Sequence, residues 1–220
     1  MADDREEQRD RLIEAVLPHV AFDGWSADSL YAGAHDIGMD VSEARSLFPQ
    51  PGADMAAAYH RMLDRRLAAE LSDTDLSTMR IRERITFCVR RRLELIGTDR
   101  EAVRRAATLF ALPMNMPVGS KLIWETADTI WTACGDTADD YNWYTKRAIL
   151  SGVYSATVLY WLGDQDPRSM PTWDFLDRRI DDVMRIETMK GQLRKNPLAR
   201  AVFAVPLGVL SMVRAPRQRT

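Results

Sequence analysis

Gly135-Asp-Thr-Ala-Asp-Asp-Tyr-Asn-Trp-Tyr-Thr-Lys-Arg-Ala-Ile-Leu150 runs directly into Ser151-Gly-Val-Tyr-Ser-Ala-Thr-Val-Leu-Tyr-Trp-Leu-Gly163. An acidic, polar loop and two large aromatics, Trp143 and Tyr144, precede a run from Ala148 to Gly163 that carries no charge. A helix that is apolar all round has to be buried or face something greasy. The stretch predicts a central helix, capped by Asp140 and ending at Gly163, inside an all-α protein. The loop ahead of it offers no metal-ligand spacing and no activated nucleophile. It reads as a surface made to be held, beside an interior made to hold.

On either side, the punctuation is helical throughout. A first helix is expected from about Arg5 to Leu17, stopped by Pro18. Ser26 caps a second that runs to Gly38. Asp40-Val-Ser-Glu43 forms a capping box for a short third helix ending near Phe48-Pro49. Pro51 opens a fourth. Ile81, Ile85, Cys88, Val89, Leu93 and Ile96 mark one face of a fifth, which Gly97 stops. Thr98-Asp-Arg-Glu101 is another capping box, for a helix ending at Leu112-Pro113. Pro117 opens a seventh that ends at Gly135, and Thr172 caps a ninth that reaches about Lys190. Alternating strands, a βαβ rhythm and internal repeats are all absent. Short linkers favour one domain over 1–190, with a helix-turn-helix-like part at about 5–60, a bundle at 61–190 and a tail at 191–220.

Length and composition set the limits. The 220 residues suffice for one good-sized core, and 46% hydrophobic with 28% charged residues is ordinary for a soluble globular chain. Cys88 and Cys134 form no C-x-x-C and suit a reducing compartment. Met1-Ala-Asp-Asp-Arg-Glu-Glu7 has the character of neither a secretory signal nor an Arg-rich transit peptide, so a cytoplasmic location is expected. The net charge of −2 conceals an asymmetry. Residues 185–220 hold eight Lys or Arg against Glu187 alone, which leaves 22 bases and 31 acids in residues 1–184.

Within that basic tail, Ala201 to Val213 is uncharged and is bracketed by Lys195, Arg200 and Arg214. Thirteen residues are too few to span a hydrocarbon layer roughly 30 Å thick. Leu198, Val202, Phe203, Val205, Val209 and Met212 are instead the expected apolar side of an amphipathic helix lying at a membrane surface. The competing reading is a helix packed on the core or on another subunit.

The sequence offers little catalytic machinery. His19, His35 and His60 stand outside Glu-x-x-His and His-x-x-x-His spacing, and there is no phosphate loop or Gly-x-Ser-x-Gly. No metal and no cofactor is expected, and a non-catalytic role is preferred to an active site assembled from scattered residues. The first three helices have the layout of a helix-turn-helix unit, as in a TetR-like regulator with a larger helical ligand domain behind it. Yet Ser26 to Pro49 carries Asp28, Asp36, Asp40 and Glu43 against Arg45 alone. DNA affinity rests on cations that meet phosphates, so nucleic acid is not an expected partner. An apolar ligand is. Met114, Met116, Trp124, Trp131, Tyr154, Tyr160 and Trp161 surround the uncharged helix in sequence and are the pocket candidates; filling the core is the plain alternative for each.

Five motifs in order then point to a family: Leu17-Pro-His-Val-Ala-Phe-Asp-Gly-Trp25, Met79-Arg-Ile-Arg-Glu-Arg-Ile85, Gly135-Asp136, Asp140-Tyr-Asn-Trp-Tyr-Thr-Lys-Arg147 and Phe175-Leu-Asp-Arg-Arg179. Over residues of about 11–190 the chain resembles the ubiquinone-biosynthesis accessory proteins known as the ninth coenzyme Q protein. The resemblance implies a TetR-like fold that no longer reads DNA, and an apolar pocket for isoprenoid quinone intermediates. It implies a C-terminal amphipathic helix at the inner membrane, and delivery of substrate to the demethoxyubiquinone hydroxylase. Carried onto this sequence, the hydroxylase-facing patch falls on Asp140, Asn142, Trp143 and Tyr144, with Ile130 nearby. A homodimer is expected, since TetR-like folds often pair through their last two large helices. The alternative function is a ligand-responsive TetR-type regulator.

Overall fold

The computed structural model describes the backbone of residues 2–195 and the side chains of 4–185. The tail residues Leu198, Val202, Phe203, Val205, Val209 and Met212 lie outside the described residues. Within them the chain forms nine α-helices and no strand: α1 Ala2–Asp23, α2 Ala27–Asp36, α3 Val41–Leu47, α4 Pro51–Ser72, α5 Ile81–Glu94, α6 Arg100–Ala111, α7 Met116–Ala133, α8 Tyr141–Gly163 and α9 Met170–Lys195. Among the described residues, no helix is long and apolar enough to cross a membrane.

Three caps form as the local chemistry predicts. The Ser26 hydroxyl accepts from the Ser29 amide, with Ser29 closing the capping box. Asp40 accepts from Ser42, and Asp140 accepts from the Asn142 amide. Three other boundaries differ. Pro18 lies inside α1, which continues to Asp23. Val16 and Val20 on either side of it are wholly buried, and the packing they gain outweighs the backbone bond that proline removes. Asp99, before α6, has a non-extended backbone and makes no side-chain cap, so the second capping box does not form. Thr172 sits within α9 rather than before it. Its amide and hydroxyl both donate to the buried Asp164 carboxylate, at 3.1 and 2.5 Å.

The chain divides into two compact units, each built from separate segments. The first comprises Met1–Glu70 and Arg91–Ile123. Here α1 packs on α2, α3 and α6. α1 and α2 approach tightly at Gly33, where an added Cβ would stand 2.6–2.9 Å from Val16 atoms, two of them backbone. Trp25 stacks obliquely on Tyr59 and donates its indole N–H to the Ala102 carbonyl at 2.9 Å. A fully buried Arg92 pairs with Asp64 at 2.6 Å, and His60 lies 3.6 Å from the same carboxylate. Burial, reinforced by the Arg92 charge, lowers the His60 imidazole to about 4.

The second unit comprises Leu71–Arg90 and the chain from Trp124 onward. It holds the first part of α5, most of α7, and the α8–α9 pair, in which Tyr160 and Phe175 stack at 4.5 Å. Among the described residues, α8 is buried on one face only. Leu150, Tyr154, Thr157, Trp161 and Leu162 are buried, but Ala148, Gly152, Leu159, Tyr160 and Gly163 are exposed. A helix free of charge still has one face turned outward when the packed neighbours reach only part of its circumference.

Candidate functional site

Within the second unit, α8 forms one wall of a cavity of about 410 Å³. That volume falls in the range of small-molecule sites, about 300–1,000 Å³. Asn142, Thr145, Lys146, Ile149, Leu150 and Val153 line it, a three-to-four spacing that marks one helical face. Ile81 and Ile85 come from α5, Trp131 and Cys134 from α7, Gly135, Asp136 and Thr137 from the loop, and Ile180, Val183 and Met184 from α9. The lining changes character along α8. Its first turns bring an amide, a hydroxyl and an ammonium; beyond Arg147 the α8 contribution is purely aliphatic, as is that of α5. Eleven residues separate Asn142 from Val153, about 16 Å of helix. Such a cavity suits an elongated molecule with one oxygenated end and one hydrocarbon end.

A buried ionic cluster fixes the polar end. The Asp136 side chain is 1% exposed and accepts from Lys146 Nζ at 2.6 Å, from Arg147 Nη1 at 2.9 Å and from the Ala138 amide. Burial alone would raise this carboxyl; the hydrogen bonds from Lys146 and Arg147 prevail and hold it below its ordinary value. Arg147, also 1% exposed, donates to Asp128 at 2.5 Å and to the Trp143 carbonyl at 3.2 Å. Its guanidinium lies 3.9 Å from the Trp143 ring centroid. Lys146 Nζ sits 5.2 Å from the Trp131 ring centroid, and that indole donates to the Lys146 carbonyl. The loop acid Asp136 thus meets cations of its own chain.

An aromatic cluster stands on the same turn of α8. Trp143 meets Tyr144 edge to face at 4.8 Å and Trp124 at 5.9 Å, and Tyr144 lies 6.4 Å from Trp124. Trp124, Trp143 and Tyr144 are all half-buried, so the side chains expected to face a partner also pack on one another and on Arg147.

The expected site residues are only partly brought together. Of the seven pocket candidates, Trp131 alone lines this cavity. Met114, Met116 and Tyr160 stand at exposed positions among the described residues, at 81, 52 and 40%. Tyr154 and Trp161 are buried on the packed face of α8. Trp124 belongs to the aromatic cluster. Among the patch residues, Ile130 is wholly buried in α7. Asp140 caps α8, and Asn142, expected on the patch, also lines the cavity and donates to the Asp140 carboxylate at 2.8 Å. Asp136, Thr145, Lys146, Ile149 and Val153 were missed as lining residues. The usable signal was the spacing of Asn142, Lys146, Ile149 and Val153 on one face of a helix that starts polar and turns apolar.

These features define a class, an all-α protein of the TetR-regulator fold with a two-ended cavity beside its eighth helix. The TetR transcriptional regulator from Nitrosomonas europaea superposes with a TM-score of 0.65, at 19% identity, covering 79% of this chain and 96% of that one. Residues 116–187 match the family model described as COQ9. The mitochondrial ubiquinone biosynthesis protein COQ9 of Rattus norvegicus is 32% identical over 188 residues, and that of Homo sapiens 30%. Each alignment covers 82% of this chain. The chain spans 60 and 59% of the length of these two relatives. The chain belongs to the COQ9 family.

Proposed function

We propose that this protein acts in ubiquinone biosynthesis as a non-catalytic lipid-binding accessory protein. It takes an isoprenoid quinone intermediate into the α8 cavity, ring toward Lys146 and Asn142 and tail along Ile149 and Val153. It presents that intermediate to the demethoxyubiquinone hydroxylase through Trp143 and Tyr144, working as a homodimer. Residues 191–220 hold it peripherally at the inner membrane from the cytoplasmic side. The carrying observation is the polarity of the cavity, with an ionic cluster at one end and aliphatic side chains at the other. The relatives' names support the pathway. Polyprenyl quinones need such a carrier, because each CH₂ removed from water is worth roughly 0.8 kcal/mol.

Protein purified without detergent is expected to release an isoprenoid lipid on solvent extraction, read by mass spectrometry. Val153→Trp, which fills the aliphatic end, should remove that lipid while the protein still folds. An empty wild-type extract, or unchanged lipid in Val153→Trp, refutes the reading. Deleting residues 196–220 should remove most vesicle flotation, and undiminished flotation refutes the tail assignment.

A second reading, a ligand-responsive regulator, draws on the fold likeness alone. The exposed face of α3 carries Glu43 against Arg45, and α2 adds Asp28 and Asp36. A gel shift at about 50 mM salt tests it, since phosphate contacts are strongest there.

A further inference from the structure

The hairpin between α6 and α7, in the first unit, is built inside out. From Ala111 to Ser120 every residue is exposed except Asn115 and Gly119. Leu112, Met114, Met116 and Val118 are 46, 81, 52 and 37% exposed. Its one amide side chain turns inward: Asn115 Nδ2 donates to the Leu109 carbonyl at 3.1 Å, satisfying the end of α6. The backbone is closed on itself as well. The Asn115 and Met116 amides both donate to the Leu112 carbonyl at 2.9 Å, and the Gly119 amide donates to the Asn115 carbonyl at 3.0 Å. Gly119 seats α7 directly against Phe110, where an added Cβ would stand 2.7 Å from the phenylalanine Cβ. Pro113 and Pro117 have no N–H to satisfy. The tip is therefore an apolar knob whose Asn115, Met116 and Gly119 amides and Asn115 side chain are paired within the hairpin, which lowers the cost of entering a layer poor in water.

Charge supports the same occupant. Residues 100–124 hold Arg100, Arg104, Arg105 and Lys121 against Glu101, a net of +3, whereas residues 1–184 as a whole are net −9. Along α6, Arg105 stands about 9 Å behind Ala111, and along α7, Lys121 stands about 8 Å behind Met116. Interfacial elements sink their apolar face about 5–10 Å, a depth that matches the spacing of these two positions along their helices; Arg105 also pairs with Glu101 at 3.2 Å and donates to the Ala21 carbonyl at 2.8 Å. We propose that the α6–α7 hairpin inserts Leu112, Met114 and Met116 into an anionic bilayer surface, as a membrane contact separate from the C-terminal tail. The proposal does not depend on the cavity or its ligand.

The test uses the full chain with Met114→Cys carrying an environment-sensitive fluorophore; the native Cys88 and Cys134 are buried. Vesicles of phosphatidylcholine with about a third phosphatidylglycerol should shift the emission to the blue, and brominated acyl chains should quench it. The double variant Met114→Asp, Met116→Asp should weaken vesicle partitioning at least about tenfold while leaving the melting temperature in place, since both side chains are exposed. A label that stays in water while the protein sediments with vesicles overturns the proposal. So does a protein that does not bind these vesicles. A blue shift that grows with protein concentration in the absence of lipid also overturns it, identifying a second copy as the occupant.

Discussion

Asp136→Asn removes the charge at the centre of the α8 cluster while keeping the shape. Asp136 and Arg147 are each 1% exposed, and Asp136 accepts from two cations at 2.6 and 2.9 Å. Breaking a buried pair from one side costs about 3–5 kcal/mol, because the remaining charge is left in a poor dielectric. Arg147 keeps its bond to Asp128, so the lower end, about 3 kcal/mol, is expected. For a chain of this size that is about 6–12 °C of melting temperature. Asp128→Asn serves as the contrast. Its carboxylate is 42% exposed, and loss of a solvent-facing partner should cost under about 1 kcal/mol. The pH dependence has a definite sign. The folded-state value of Asp136 is lowered from 3.8, so its stabilisation is complete above that value and is lost as pH falls through the depressed one. Thermal melts by circular dichroism should show the wild-type advantage intact from pH 7 to about 5 and shrinking toward pH 3. A loss below 2 °C at pH 7, or Asp128→Asn costing as much as Asp136→Asn, would refute the assignment of Asp136 as the buried anchor.

Three further outcomes follow from the geometry. Gly33→Ala forces a methyl into Val16 backbone atoms at 2.9 Å, and a destabilisation of about 1–3 kcal/mol should appear in denaturant titration. The buried His60 binds its proton near pH 4 when folded and near 6.5 when unfolded, so it costs about 2 kcal/mol between pH 7 and 5. His60→Gln should flatten that part of the stability profile, and an unchanged slope would contradict it. Trp143→Ala removes the ring under Arg147 and beside Trp124 and Tyr144, so melting temperature should fall by several degrees in calorimetry; on the proposed function, affinity for the hydroxylase should fall with it.

Sequence by itself determined whatever is settled within one turn of helix. Ser26, Asp40 and Asp140 announce their helix starts because a cap is a contact between residues two or three apart. The all-α class follows from those caps and from the 3.6-residue spacing between them. The five ordered motifs also identified the family, since they record residues rather than distances. Tertiary structure decided the rest. Pro18 reads as a stop until the burial of Val16 and Val20 is known. Met114 and Ile130 are equally apolar in sequence, yet one stands in solvent and the other is wholly covered. Asp136 looks like one more loop acid, and only the fold brings Lys146 and Arg147, ten and eleven residues on, to its two oxygens. Which face of an uncharged helix borders a cavity depends on how far its neighbours reach, and that distance is set by residues far away in the chain.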